Sequence, residues 1–185
     1  MRLILITVQF NFQGKHLKEI HTPAIQKLAE NWGIVIHPLE SVISSVTWRP
    51  PDIDWTKSNS DGSLSIDRAG YGAVLRNSDG KLLAAAATQE SSLLSINVLE
   101  FRGILQGLKL ARSLGLQKIH IESDSTTAIA WVQGKGCLPW QAFRDHFAML
   151  SILESFDSWR ASHVLCEGNQ VVDYLAAWRD FPGIT

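Results

Sequence analysis

Ile119-His-Ile-Glu-Ser-Asp124 is followed at once by Ser125-Thr-Thr127. The run reads as a short buried strand ending in a carboxylate, then the start of a helix. An acid at such a junction can point into a cleft rather than a core. Upstream, Asn97 to Ser113 is the clearest helix. Leu99, Ile104, Leu105, Leu108 and Ala111 form an apolar stripe, while Arg102, Gln106, Lys109 and Arg112 lie towards the other side. Gly115 closes that helix. A strand approached through a helix is the pattern of a parallel crossover, so Lys118–Asp124 is expected inside a sheet.

Further upstream, Trp55–Asp61, Tyr71–Arg76 and Lys81–Ala87 read as an antiparallel meander. Asp61-Gly62 opens a turn region running to Gly70, and Asn77-Ser-Asp-Gly80 is a hairpin turn in which Gly80 tolerates positive φ. Downstream, the pattern predicts a short helix over Thr126–Gln133, a loop over Gly134–Pro139 and a helix over Trp140–Phe156. A strand over Trp159–Leu165 and a last helix over Asn169–Arg179 complete it. The expected architecture is α/β, a five-stranded mixed sheet in the order β-β-β-α-β-α-α-β-α, flanked by helices.

The 185 residues suit one domain plus an extension, and 45% hydrophobic content is ample for one core. The net charge of -1 gives no global basic field. Cys137 and Cys166 match no ligand spacing and are expected to be reduced, buried thiols. Leu3 to Phe10 is too short to span a bilayer and lacks a small-residue cleavage site, so no membrane segment or signal peptide is expected. Residues 1–47 read as an extension with one helix from Thr22 to Trp32. Residues 48–54, with Pro50-Pro51, read as a linker. The main domain spans 55–181. A monomer in the cytoplasm or nucleus is the default.

Four carboxylates stand at element ends or on helix faces: Asp61, Glu100, Asp124 and Asp173. Each has an ordinary reading: Asp61 as a turn former, Glu100 as a first-turn acid, Asp124 as a helix cap, Asp173 as a surface acid. Glu100 and Asp173, however, have apolar sequence neighbours, and a carboxylate in such surroundings needs a partner. Oxygen donors without a thiolate or imidazole cluster suit Mg2+ or Mn2+.

These residues carry a resemblance. Asn59-Ser-Asp-Gly-Ser63, Gly70-Tyr-Gly-Ala-Val-Leu-Arg76, Asn97-Val-Leu-Glu100 with Gly107-Leu108, Glu122-Ser-Asp-Ser125, and His163-Val-Leu-Cys-Glu-Gly-Asn169 with Asp173-Tyr-Leu-Ala176 together resemble the ribonuclease H family. More narrowly, the run is similar to the plant ribonuclease H-like domain of non-LTR retrotransposon reverse transcriptases and related stand-alone plant proteins. Trp48-Arg-Pro-Pro51 followed by Trp55-Thr-Lys57 is similar to the lead-in of that group. The resemblance spans 48–179.

It implies hydrolysis of the RNA strand of an RNA–DNA hybrid with two Mg2+ (or Mn2+) ions. Asp61, Glu100, Asp124 and Asp173 fall on the family's metal-binding acids, and His163 on a histidine that assists proton transfer or product release. Asn97 falls near the bound nucleic-acid backbone. Gly62 and Ser63 fall where backbone groups sense the 2′-hydroxyl. His163 has an equally good reading as a strand-end residue bonded to a carbonyl. Ser58 and Ser60 replace the usual apolar residues of the first strand, Cys166 replaces a common basic residue, and the basic protrusion of some members is absent. A catalytically decayed nucleic-acid-binding module is the alternative, and a 3′-exonuclease of the same fold a more distant one. Trp131, Trp140, Trp159 and Trp178 are expected in the core rather than stacked on bases.

Overall fold

The first strand, β1, runs from Thr56 to Leu64 and is the centre of the sheet. In this computed structural model, residues 48–91 and 94–177 are described; they fall within one compact unit, Ser45–Thr185. The helix expected at Thr22–Trp32 lies outside the described residues, as do Trp178 and Arg179.

The order of elements is the expected one. β1 is followed by β2 (Ala69–Arg76) and β3 (Leu82–Glu90), then by α1 (Ile96–Ser113) and β4 (Lys118–Ser123). Next come α2 (Thr126–Val132), α3 (Phe143–Leu153), β5 (Ser158–His163) and α4 (Gln170–Ala176). The sheet order is β3-β2-β1-β4-β5. β2 pairs antiparallel with both β1 and β3, while β4 pairs parallel with β1 and with β5.

The turn expected at Asp61-Gly62 is not there. β1 stays paired with β2 as far as Leu64↔Ala69, and the reversal is made at Ser65–Arg68, where Ser65 N–H donates to the Arg68 carbonyl at 2.7 Å. Asp61 is therefore a strand residue, not a strand end. The Asn77–Gly80 turn forms as expected, with Gly80 at φ +76°. Trp140–Ala142 makes a 3-10 turn ahead of α3 rather than its first turn.

Alternation along the strands sorts the two faces. Leu75, Ile119 and Ile121 point into the main core with Phe101, Ile104 and Leu108 of α1, Trp131 of α2 and Met149 of α3. Val74 points the other way, onto Val172 and Leu175 of α4. Ser58 and Ser60 are fully buried and lie on the α1 side of β1. Their small size has a purpose, because a side chain at Gly107 of α1 would meet Ser58 Oγ at 2.2 Å, and one at Gly103 would meet the Asp61 carbonyl at 2.8 Å. Serines opposite glycines let the helix backbone lie close against the central strand.

Trp131 is buried as expected, but Trp140 is 76% exposed and Trp159 is 40% exposed. Cys137 and Cys166 are free, and both are exposed rather than buried. Among the described residues, no helix is long and apolar enough to cross a membrane.

Candidate metal and nuclease site

β1 and β4 run side by side until Ser60↔Ser123, where β4 ends. Asp61 is the next residue of β1, and Asp124 the next after β4. Parallel pairing thus delivers two carboxylates to the same end of the sheet. Glu100 arrives from α1, guided by Gly62. A Cβ at Gly62 would sit 2.5 Å from Glu100 N and 2.8 Å from the Leu99 carbonyl carbon. Only a bare backbone admits the helix there, which gives Gly62 a packing role that the turn reading missed.

One ligand oxygen from each of Asp61, Glu100 and Asp124 lies within 4.8 Å of the others. Asp61 is 5% exposed and Glu100 8%. Burial, then the Asp124 and Asp173 carboxylates, raise the Asp61 pKa from 3.8 to about 8, against a hydrogen bond from the Gly62 amide that lowers it. Burial, then Asp61 and Asp124, raise Glu100 to about 9, and the Gly62 amide opposes this too. Glu100 Oε2 is buried with no hydrogen-bond partner. Three crowded carboxylates, two of them stripped of water and one with an orphaned oxygen, form a donor set that fits a hard divalent cation.

Asp173 stands in the first turn of α4 and is exposed, so its apolar sequence neighbours do not bury it; Val171 and Tyr174 are exposed as well. It is outside the three-acid cluster, yet near enough for its charge to act on Asp61. His163 ends β5, and its Nε2 lies 3.0 Å from the Asp124 carbonyl. Asp124 does not cap α2, since Ser125 takes that role with its hydroxyl accepting from Ala128 N–H. Asn97 is exposed three residues before Glu100, Ser63 is half-buried, and Gly62 is buried.

Two neighbours were named in the sequence but not counted among the site residues. Asn169, 2% exposed, donates from Nδ2 to the Ser60 carbonyl at 3.0 Å and to Asp124 Oδ1 at 3.4 Å. It therefore ties β1, the end of β4 and the start of α4 together. The Cys166 thiol also bonds Asp124, which, with burial, raises the thiol to about 11. The signal available was position: both lie in the tract between His163 and Asp173.

The family described as reverse transcriptase-like matches residues 59–179, which include all four acids. The chain belongs to that family. No curated protein matches it. Among solved structures, RNase H1 from Halobacterium salinarum NRC-1 is 23% identical with a TM-score of 0.60, covering 66% of this chain and 94% of that one. The N-terminal RNase H domain of Rv2228c from Mycobacterium tuberculosis is 24% identical with a TM-score of 0.62, covering 66% and 90%. LC11-RNase H1 in complex with an RNA/DNA hybrid is 19% identical with a TM-score of 0.57, covering 65% and 92%. The reverse transcriptase-like chain thus has the ribonuclease H fold, a five-stranded mixed sheet flanked by helices.

Proposed function

We propose that this chain is a divalent-metal-dependent endonuclease that hydrolyses the RNA strand of RNA–DNA hybrids. The observation that carries the reading is the convergence of Asp61, Glu100 and Asp124 from three elements to within 4.8 Å, with a buried, unpartnered oxygen on Glu100. Similarity to a fold whose solved examples include an RNase H1 bound to an RNA/DNA hybrid supports the choice of substrate. Asp61, Glu100 and Asp124 would hold Mg2+ or Mn2+, and Asp173, whose charge reaches Asp61, would serve a second ion. Cations held there would supply a water acidic enough to give up its proton and act as the nucleophile, and charge to stabilise the leaving oxygen.

The chain's own groups do the rest. Burial of Asp61 and Glu100 keeps competing water from their oxygens. The Gly62 amide aims both carboxyls at one point. His163 donates from Nε2 to the Asp124 carbonyl, which leaves Nδ1 as the nitrogen that takes up or releases a proton at the exposed mouth. Half-buried Ser63 and exposed Asn97 would meet the nucleic-acid backbone. The Gly62 amide is engaged by Asp61 and Glu100.

Purified protein incubated with a labelled hybrid should cleave the RNA strand with Mg2+ and not with EDTA. Asp124→Asn should lower the rate roughly a hundredfold or more. Hybrid binding with no metal-dependent cleavage would replace this reading by that of a binding module. The exposed position of Asp173, outside the three-acid cluster, is the observation that favours that second reading.

A further inference from the structure

The face of the sheet that bears Asp61 and Asp124 holds a second polar cluster, deeper along the same two strands. Lys57 and Asn59 precede Asp61 at two-residue steps on β1. His120 and Glu122 precede Asp124 in the same way on β4. Their register is Lys57↔His120 and Asn59↔Glu122. Lys57 Nζ lies 2.7 Å from Glu122 Oε1 and donates to the Arg49 carbonyl at 2.7 Å. Asn59 Nδ2 donates to Glu122 Oε2 at 3.1 Å. Trp48 Nε1 donates to Asn59 Oδ1 at 2.9 Å, and its ring lies over Lys57 and Arg76. Lys57, Asn59 and Glu122 are 5%, 2% and 8% exposed.

A buried ion pair is a poor source of stability, because apolar residues of equal volume pack a sheet face at lower desolvation cost. Its distinguishing property is geometric. Both Glu122 oxygens and both ends of the Asn59 amide are engaged, and these bonds close in only one register of β1 on β4. A slip of one residue would turn Asp61 to the other face. The cluster stands one same-face step before the acids, where the parallel pairing ends and register matters most.

We infer that Lys57, Asn59 and Glu122, closed over by Trp48, are positioning residues that set the separation of Asp61 and Asp124 and thereby the affinity of the site for its cation. The inference rests on the metal-site reading above. It also gives Trp48–Asp52, expected as a linker, a part in the site.

The test is Mn2+ binding to the full chain by calorimetry, without nucleic acid, alongside kcat and KM on hybrid. Asn59→Leu should weaken Mn2+ about tenfold and lower kcat similarly, with KM for hybrid unchanged. Trp48→Phe keeps an aromatic ring, though a smaller one, and drops the Nε1 donor, so it should act in the same direction but less. Lys57→Met with Glu122→Gln removes both charges but keeps the acceptor for Asn59, and should weaken Mn2+ in the same direction but less than Asn59→Leu. A merely structural cluster would lower Tm and leave Mn2+ affinity and kcat alone; that result in Asn59→Leu overturns the inference. If Asn59→Leu does not fold, wild-type Mn2+ affinity in Trp48→Phe overturns it. Failure of the wild type itself to bind Mn2+ removes the metal-site reading, and this inference with it.

Discussion

Asp61 and Glu100 are held as carboxyls in a place that resists their charge. Their pKa values are raised to about 8 and about 9, with burial as the largest cause in each. In the metal-free protein the folded state therefore binds more protons than the unfolded state over the interval between ordinary and raised values. The sign follows: stability is greatest near pH 4, falls as pH rises through about 8 and about 9, and levels off above. Thermal melts in EDTA should show Tm dropping from about pH 5 to about pH 9. Added Mg2+ should restore it most at the alkaline end, since a cation neutralises the repulsion. A Tm independent of Mg2+ at alkaline pH would argue against a metal at these acids. Glu100→Gln should reduce that pH dependence and abolish Mg2+ stabilisation while leaving the protein folded. At Glu122 the expectation is opposite in kind. Glu122→Ala leaves the buried Lys57 ammonium without its ion-pair partner and should cost about 3–5 kcal/mol in urea unfolding.

Among elements, the packing of α1 on β1 decides whether the acids meet. Gly62, Gly103 and Gly107 form the contact, and each has a backbone or side-chain atom within 2.8 Å of where a Cβ would be. Gly62→Ala must push the Glu100 backbone away from the strand. It should destabilise by roughly 1–3 kcal/mol and weaken Mn2+ binding, because Glu100 leaves the cluster. Equal Mn2+ affinity in wild type and Gly62→Ala would contradict this account. Ser125→Ala, by contrast, removes the cap of α2 only; about 1 kcal/mol of stability should go, with kcat little changed.

For the whole molecule, the main core of α1, α2, α3 and the inner sheet face is built from apolar side chains that need no cation to pack. EDTA should therefore leave the far-ultraviolet circular dichroism unchanged while stopping cleavage; unfolding on chelation would show the metal to be structural instead. Among the described residues, three cations are paired across the fold. Lys57 pairs with Glu122, Arg160 with Asp52, and Arg102 with Glu90 and Asp145. Only a short loop and a 3-10 turn join α2 to α3, with no inserted basic helix. Hybrid binding should accordingly respond weakly to salt, with a log–log slope on the order of 2 to 3. A much steeper slope, measured by fluorescence anisotropy, would reveal a basic surface outside this account.

Local sequence determined the elements and their order, because periodicity, the Asn77–Gly80 turn and the Gly115 stop are short-range properties. The four acids and His163 were legible as motifs in one order along the chain. Tertiary structure alone decided what lies between them. Asp61-Gly62 has the composition of a turn, but pairing with β2 keeps it extended and α1 needs the bare glycine. Asp173 has apolar sequence neighbours, but the face of α4 that it occupies is exposed. Asn169, Glu122 and Lys57 show no local signal of their own, since Asn169 meets Asp124, and Glu122 meets Asn59 and Lys57, only when β1 and β4 are in register. Which carboxylates share a cation depends on distances across strands and helices far apart in the chain, and those distances are fixed by packing.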